Sequence, residues 1–230
     1  MKIQGLQKMT LLDFPGHVAC TVFLAGCDFR CPFCHNYELA CGPSLDVMDE
    51  EEFMSFLSKR HGLLDGVAVT GGEPCMRRSL PDFLKRIREA GFTIKLDTNG
   101  YHPDVLRTIV DGGLADYIAM DIKNSPEKYA VTAGLDSLDL GPINESIGIL
   151  MDGPADFEFR TTVVAELHSP ADMEKIGMWI QGGEKYFLQA FADRDTVPYG
   201  GFSAPPKDVM EEYLMTVRKY VPEASLRGVE

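Results

Sequence analysis

Short β-branched runs alternate with amphipathic stretches along the chain, and that alternation limits the fold more than any other feature. Val18 to Leu24, Gly66 to Thr70, Thr93 to Asp97, Tyr117 to Asp121, Phe157 to Val164 and Tyr186 to Ala190 read as strands. The stretches between them carry helix signals. Asp49 caps a helix, Glu52 completes a capping box, and Phe53, Phe56 and Leu57 share one face. Ser79 to Ala90 places Phe83, Leu84 and Ile87 inward, with Gly91 as its stop. Pro103 to Asp111 has proline at its start and Gly112 just past its end. Asn144 to Met151, Ser169-Pro170 to about Gln181, and Lys207 to Tyr220 complete the set, the last stopped by Pro222. Strand–helix units repeated six times predict parallel strands with helices packed outside. Six are too few for a full eightfold barrel. The expectation is an α/β fold, a partial (β/α)6 TIM-like barrel, as a single domain over residues 1–230. Ser225 to Gly228 is a candidate last strand at the barrel edge. Asp193 to Pro206, rich in Pro and Gly, is a long loop and a candidate wall for the barrel mouth.

A net charge of −13 argues against non-specific binding to nucleic acid or to an anionic membrane, which need local positive charge. Met1 to Leu12 lacks a basic start followed by an apolar run, and no stretch approaches the roughly 20 apolar residues that span a bilayer. A cytoplasmic location is expected. In a reducing compartment the six cysteines are then thiols or metal ligands rather than disulfides.

In parallel α/β architectures the active site gathers at the C-terminal ends of the strands. The chemically unusual residues fall there: a cysteine loop after the first strand, Gly71-Gly72-Glu73-Pro74 after the second, and Asp97-Thr98-Asn99-Gly100 after the third. Asp121 and Lys123 follow the fourth, and Arg160 lies on the fifth. Cys27, Cys31 and Cys34 are spaced C-x3-C-x2-C, so three thiolates on one loop can converge on one metal centre. A complete [4Fe–4S] cluster takes four cysteines. Three leave one iron open to a chelating ligand, as a catalytic zinc keeps an open position. Cys20, Cys41 and Cys75 form no second cluster motif and read as buried small hydrophobes. The competing reading of the triplet is structural zinc with His35 as fourth ligand. His35 otherwise reads as a neighbour of the cluster or a solvent-facing residue. Asp97 to Gly100 taken alone is an ordinary Asn-Gly turn, Lys123 and Arg160 taken alone are ion-paired surface groups, and His102 is a helix cap.

The cysteine spacing, with aromatic Phe33 before the last cysteine and Gly71-Gly72-Glu73-Pro74 after the next strand, resembles the signature of radical S-adenosylmethionine (SAM) enzymes. The triplet followed by His35-Asn36, with Asp97-Thr98-Asn99-Gly100 and Asp121-Ile122-Lys123, resembles the glycyl-radical activating enzymes within that superfamily. Leu11-Leu12-Asp13-Phe14-Pro15-Gly16 and the overall length resemble the longer form of the anaerobic ribonucleoside-triphosphate reductase activating family.

The resemblance implies one [4Fe–4S] cluster on Cys27, Cys31 and Cys34, with SAM chelating the open iron. It implies that Phe33 contacts the adenine, that Gly71 and Gly72 allow close backbone approach to the methionyl group, that Glu73 orients that edge and that Pro74 fixes the turn. It implies that Asp97, Thr98 and Asp121 surround the SAM carboxylate, with a monovalent cation in some relatives, and that Lys123 and Arg160 neutralise it. The implied reaction is reductive cleavage of SAM to a 5′-deoxyadenosyl radical that installs a glycyl radical on a partner enzyme, anaerobic ribonucleotide reductase. Reduced flavodoxin or ferredoxin is the implied electron donor. Only Cys41 lies among the 36 residues between Cys34 and Gly71, so no ferredoxin-like insert is expected. The alternatives are a pyruvate formate-lyase-type activase, a 7-carboxy-7-deazaguanine synthase-like enzyme acting on a small molecule, and a metal-binding scaffold without turnover.

Overall fold

The computed structural model describes residues 1–43 and 45–229. Ten strands and eight α-helices alternate along it among the described residues. The strands are β1 (Lys2–Ile3), β2 (Gly5–Thr10), β3 (Ala19–Leu24), β4 (Met48–Asp49), β5 (Gly66–Gly71), β6 (Thr93–Thr98), β7 (Tyr117–Asp121), β8 (Asp156–Val163), β9 (Tyr186–Ala190) and β10 (Ser225–Arg227). The helices are α1 (Tyr37–Cys41), α2 (Glu50–Ser58), α3 (Leu80–Glu89), α4 (Pro103–Asp111), α5 (Tyr129–Thr132), α6 (Gly141–Asp152), α7 (Pro170–Trp179) and α8 (Lys207–Val217).

The main sheet has the order β10-β9-β8-β7-β6-β5-β3-β2, with β2 and β10 as its two edges. It is therefore open. The pairs β3–β5, β5–β6, β8–β9 and β9–β10 are parallel, and β2 lies antiparallel on β3. Six strands in chain order, with helices in the crossovers, are the topology of an unclosed (β/α)6 barrel, as the alternation predicts. The last strand is also present: Ser225 pairs with Phe187 and Arg227 with Gln189. Arg227 anchors it further, donating to both carboxylate oxygens of fully buried Glu158 at 2.6 and 2.8 Å.

The chain divides into two compact units. The first holds residues 1–28, 38–119 and 142–156. Its core is the apolar run of β3, β5 and β6, where Val22, Leu24, Val67, Val69, Ile94 and Leu96 are buried, closed by Leu84 and Ile87 of α3 and Leu106 of α4. The capping box at α2 forms as expected: Asp49 accepts from the Glu52 amide at 3.0 Å, and Glu52 accepts from the Asp49 amide at 2.9 Å. The second unit holds residues 29–37, 120–141 and 157–230. Phe159 and Leu188 are buried on its strands, with Met173 and Ile176 of α7 and Val217 of α8. Ser169 and Asp172 cap α7 reciprocally.

Two connections differ from the helical expectation at their ends: α7 stops at Trp179 and α8 at Val217, each a turn or less short of its predicted end. Strand β2 and the small β1–β4 pair carry no clear alternation and form through their partners.

Candidate functional site

In the first unit the site is built around one buried carboxylate. Gly71 ends β5, and with Gly72 the chain turns sharply back against β3. The Gly72 amide donates to the Leu24 carbonyl, and the Glu73 amide to the Gly26 carbonyl, both at 2.8 Å. A Cβ on Gly71 would stand 2.3 Å from the Leu24 oxygen, and φ there is +124°. A Cβ on Gly72 would stand 2.0 Å from the Gly26 oxygen. Both glycines are thus demanded by the backbone that leads into Cys27. Pro74 opens a short 3-10 turn, Pro74 to Met76.

Glu73 has no exposed surface. One of its oxygens accepts from the Cys75 amide at 2.9 Å and from the Thr98 hydroxyl at 2.7 Å, and the other from the Asn99 amide at 2.5 Å. All three donors are neutral. Burial pushes the Glu73 carboxyl above its ordinary value, against the pull of the Asn99, Thr98 and Cys75 donors. Asn99 is buried too. Its side-chain oxygen accepts from the Tyr101 amide at 2.9 Å, which turns its amide nitrogen to the Cys27 sulfur at 3.8 Å. His102 precedes α4 but makes no side-chain cap; its Nε2 meets Asp28 Oδ2 at 2.7 Å. The cap assignment fails because a partner 74 residues away, beside Cys27, takes the ring. Asp97 is engaged by Lys95, two positions earlier on the same face of β6 and almost fully buried.

In the second unit the site is built from charges. Asp121 ends β7 and accepts from Lys123 Nζ at 2.9 Å and Arg160 Nε at 2.8 Å. Burial works to raise its carboxyl, but Arg160 and Lys123 outweigh that and hold it well below the usual range. Burial likewise works against the Lys123 ammonium, and Asp121, followed by Cys31, keeps it protonated. Burial raises the Cys31 thiol to about 11, and Lys123 is the chief opposing influence. The loop around Cys31 is pinned locally: the Arg30 amide donates to the Ala133 carbonyl at 2.8 Å, and a Cβ on Gly134 would stand 2.1 Å from the Arg30 oxygen.

Phe33 is buried and packs edge-on against Phe191 at 6.4 Å. The His35 ring stacks parallel on the same Phe191 at 5.6 Å, and its Nε2 lies 2.6 Å from the Ala192 carbonyl. Tyr37 meets Tyr199 edge-on at 6.0 Å. Phe33 and His35 of the loop after Cys31, and Tyr37 at the start of α1, are therefore seated on the segment that leaves β9, which includes the Pro/Gly-rich loop. Phe191, Asn99, Lys95 and Gly134 are absent from the sequence-based set. Lys95 had a signal, since it shares a strand face with Asp97; Asn99 lay in a quoted motif but read as a turn residue, and Phe191 and Gly134 did not stand out.

All six cysteines are outside disulfides, and Cys20 and Cys75 are buried with their thiols raised by desolvation. Among the described residues no three His, Cys, Asp or Glu side chains stand grouped as a ready metal site. The donor chemistry nevertheless suits a thiolate-ligated cluster. The Asn99 amide favours an anionic Cys27 sulfur, and Lys123 favours an anionic Cys31, which a metal cation would complete by displacing the proton.

The radical SAM superfamily profile matches residues 21–139, just over half of the chain, so the chain belongs to the radical SAM superfamily and is a radical SAM enzyme. Membership brings SAM and a [4Fe–4S] cluster as the family's cofactors. Within it, similarity points to glycyl-radical activators. A Methanocaldococcus jannaschii protein described as a candidate glycyl-radical enzyme activating enzyme is 26% identical over 99% of this chain and 96% of its own length. The Listeria monocytogenes pyruvate formate-lyase-activating enzyme is 28% identical over 78% of this chain and 76% of its own. In structure, Streptococcus suis SuiB bound to SAM shares the fold with a TM-score of 0.70, at 10% identity over 90% of this chain and 52% of that one. No helix among the described residues is long and apolar enough to cross a membrane.

Proposed function

We propose that this chain is a glycyl-radical activase, working as one radical SAM domain, and that its partner is anaerobic ribonucleoside-triphosphate reductase. When bound, the cluster and SAM would supply the chemistry: one-electron reductive cleavage of SAM, fed by reduced flavodoxin or ferredoxin, and removal of one hydrogen atom from a partner glycine Cα, with methionine and 5′-deoxyadenosine as products.

The chain's own residues bind and orient. Cys27, Cys31 and Cys34 hold one cluster and leave one iron open. Gly71, Gly72, Glu73 and Pro74 form the edge that receives the methionyl group, and Phe33 faces the adenine. Lys123 and Arg160 both donate to Asp121 and are the basic groups that neutralise the SAM carboxylate. Asp97, Thr98 and Asp121 supply oxygens around the SAM carboxylate and a monovalent cation. The observation that carries the reading is the buried Glu73, which ties the turn after β5 to Thr98 and Asn99 and, through Asn99, to Cys27. The activase reading is supported by similarity to an activase-type relative along nearly the full chain, and the choice of partner by Leu11 to Gly16.

The test is 5′-deoxyadenosine yield from anaerobically reconstituted, reduced protein with SAM, alone and with each candidate partner. A rise with anaerobic ribonucleotide reductase, lost when its radical-site glycine becomes alanine, is expected. A rise with pyruvate formate-lyase instead would reassign the partner. Turnover indifferent to both would move the reading to another partner or to a small-molecule substrate, and a loaded cluster that never cleaves SAM would favour a scaffold.

A further inference from the structure

Cys27 is gripped by the segment that follows β6, through two side chains. The grip begins with the Glu73 carboxylate, which accepts from the Asn99 main-chain amide and fixes the turn. Asn99 is 5% exposed, so its side chain must satisfy its polar atoms inside the protein. The Tyr101 amide can only donate, so it selects the Asn99 side-chain oxygen as its acceptor and settles which way the amide points. The NH2 group is left facing the Cys27 sulfur. Next along the chain, His102 holds Asp28, the residue after Cys27.

We propose that Asn99 is a positioning residue that donates a hydrogen bond to the Cys27 thiolate and raises the reduction potential of the cluster. The inference rests on Cys27 being a cluster ligand. Its physical basis is charge: adding an electron makes the cluster and its thiolates more negative, and a donor to a ligating sulfur stabilises the reduced state more than the oxidised one. The effect is to ease electron entry from a donor of modest reducing power.

The test is a redox titration of the reconstituted cluster, followed by its paramagnetic signal, in wild type, N99A and N99D. Aspartate keeps the acceptor for the Tyr101 amide and with it the turn; it replaces the donor to Cys27 by an acceptor. The expected order of potentials is wild type highest, N99A lower and N99D lowest, with iron content unchanged. An N99D protein at the wild-type potential overturns the proposal, and so does an N99A protein that melts like wild type and keeps the wild-type potential, since N99A removes the donor without adding charge. So does loss of iron from an N99D protein that melts like wild type, which would make Asn99 an assembly residue. If N99D melts early, wild-type protein carrying 15N only in asparagine decides: the reduced cluster must show a 15N coupling that persists in N36D, and its absence overturns the proposal. Absence of a cluster from wild type, or its persistence in C27A, would instead break the ligand reading beneath it.

Discussion

The two flanks of the cysteine loop use opposite electrostatics. At the Cys27 end, a fully buried carboxylate is held by two backbone amides and a hydroxyl, and burial lifts it above its ordinary value. At the Cys31 end, a carboxylate is held by an ammonium and a guanidinium that drive it down. The first arrangement is neutral in its donors and directional, so it fixes backbone geometry. The second is charged, so it fixes local potential beside Cys31. What the flanks share is steric: each demands a glycine against the backbone next to a cysteine, Gly71 and Gly72 on one side and Gly134 on the other.

That shared device gives the largest expected effect. G71A and G134A should each cost about 4 kcal/mol in urea unfolding, because a Cβ meets a carbonyl oxygen and φ is positive at both. Gly148, with open space around its Cβ position, is the control and should tolerate alanine. Equal tolerance at all three would remove the steric argument.

The next effect separates the flanks. D121N leaves two cations sharing no carboxylate and should cost about 3 kcal/mol, the low end for a broken buried pair because Asp121 is partly exposed. E73Q sets an amide NH2 against a backbone N–H and should cost about 1–3 kcal/mol.

The smallest effect is the most discriminating, because the two variants should respond to pH in opposite ways. A carboxyl raised on folding contributes fully below its unfolded value, near 4.5 for Glu73, and loses that contribution as pH rises through the folded value. The gap between wild type and E73Q should shrink on going from about pH 5 to about pH 8. A depressed carboxyl contributes fully above its unfolded value, 3.8 for Asp121, and loses it as pH falls. The gap between wild type and D121N should stay level over that range and shrink only in stronger acid. Parallel profiles would erase the distinction between the flanks.

Much of the frame was legible in the sequence because its signals are local. Pro103 and Gly112 bracket α4, and Asp49 with Glu52 starts α2. Strand β2 was not legible: Gln7, Lys8 and Met9 are exposed on an edge, so no apolar face announces it. The site divides in the same way. The cysteines and the turn after β5 are contiguous motifs. The contacts Asn99–Cys27 and His102–Asp28 span more than seventy residues, so Asn99 looked like a turn residue and His102 like a cap. The glycine turn was legible as a motif but not in its cause, since the Leu24 and Gly26 carbonyls that exclude a Cβ come from another strand end.

The most direct test of the account is iron, sulfide and 5′-deoxyadenosine measured together on anaerobically reconstituted wild type, C27A, C31A and C34A. About four irons per chain and SAM cleavage are expected in wild type, and loss of both in each variant. Retention of cluster and cleavage in any one of the three variants would contradict it.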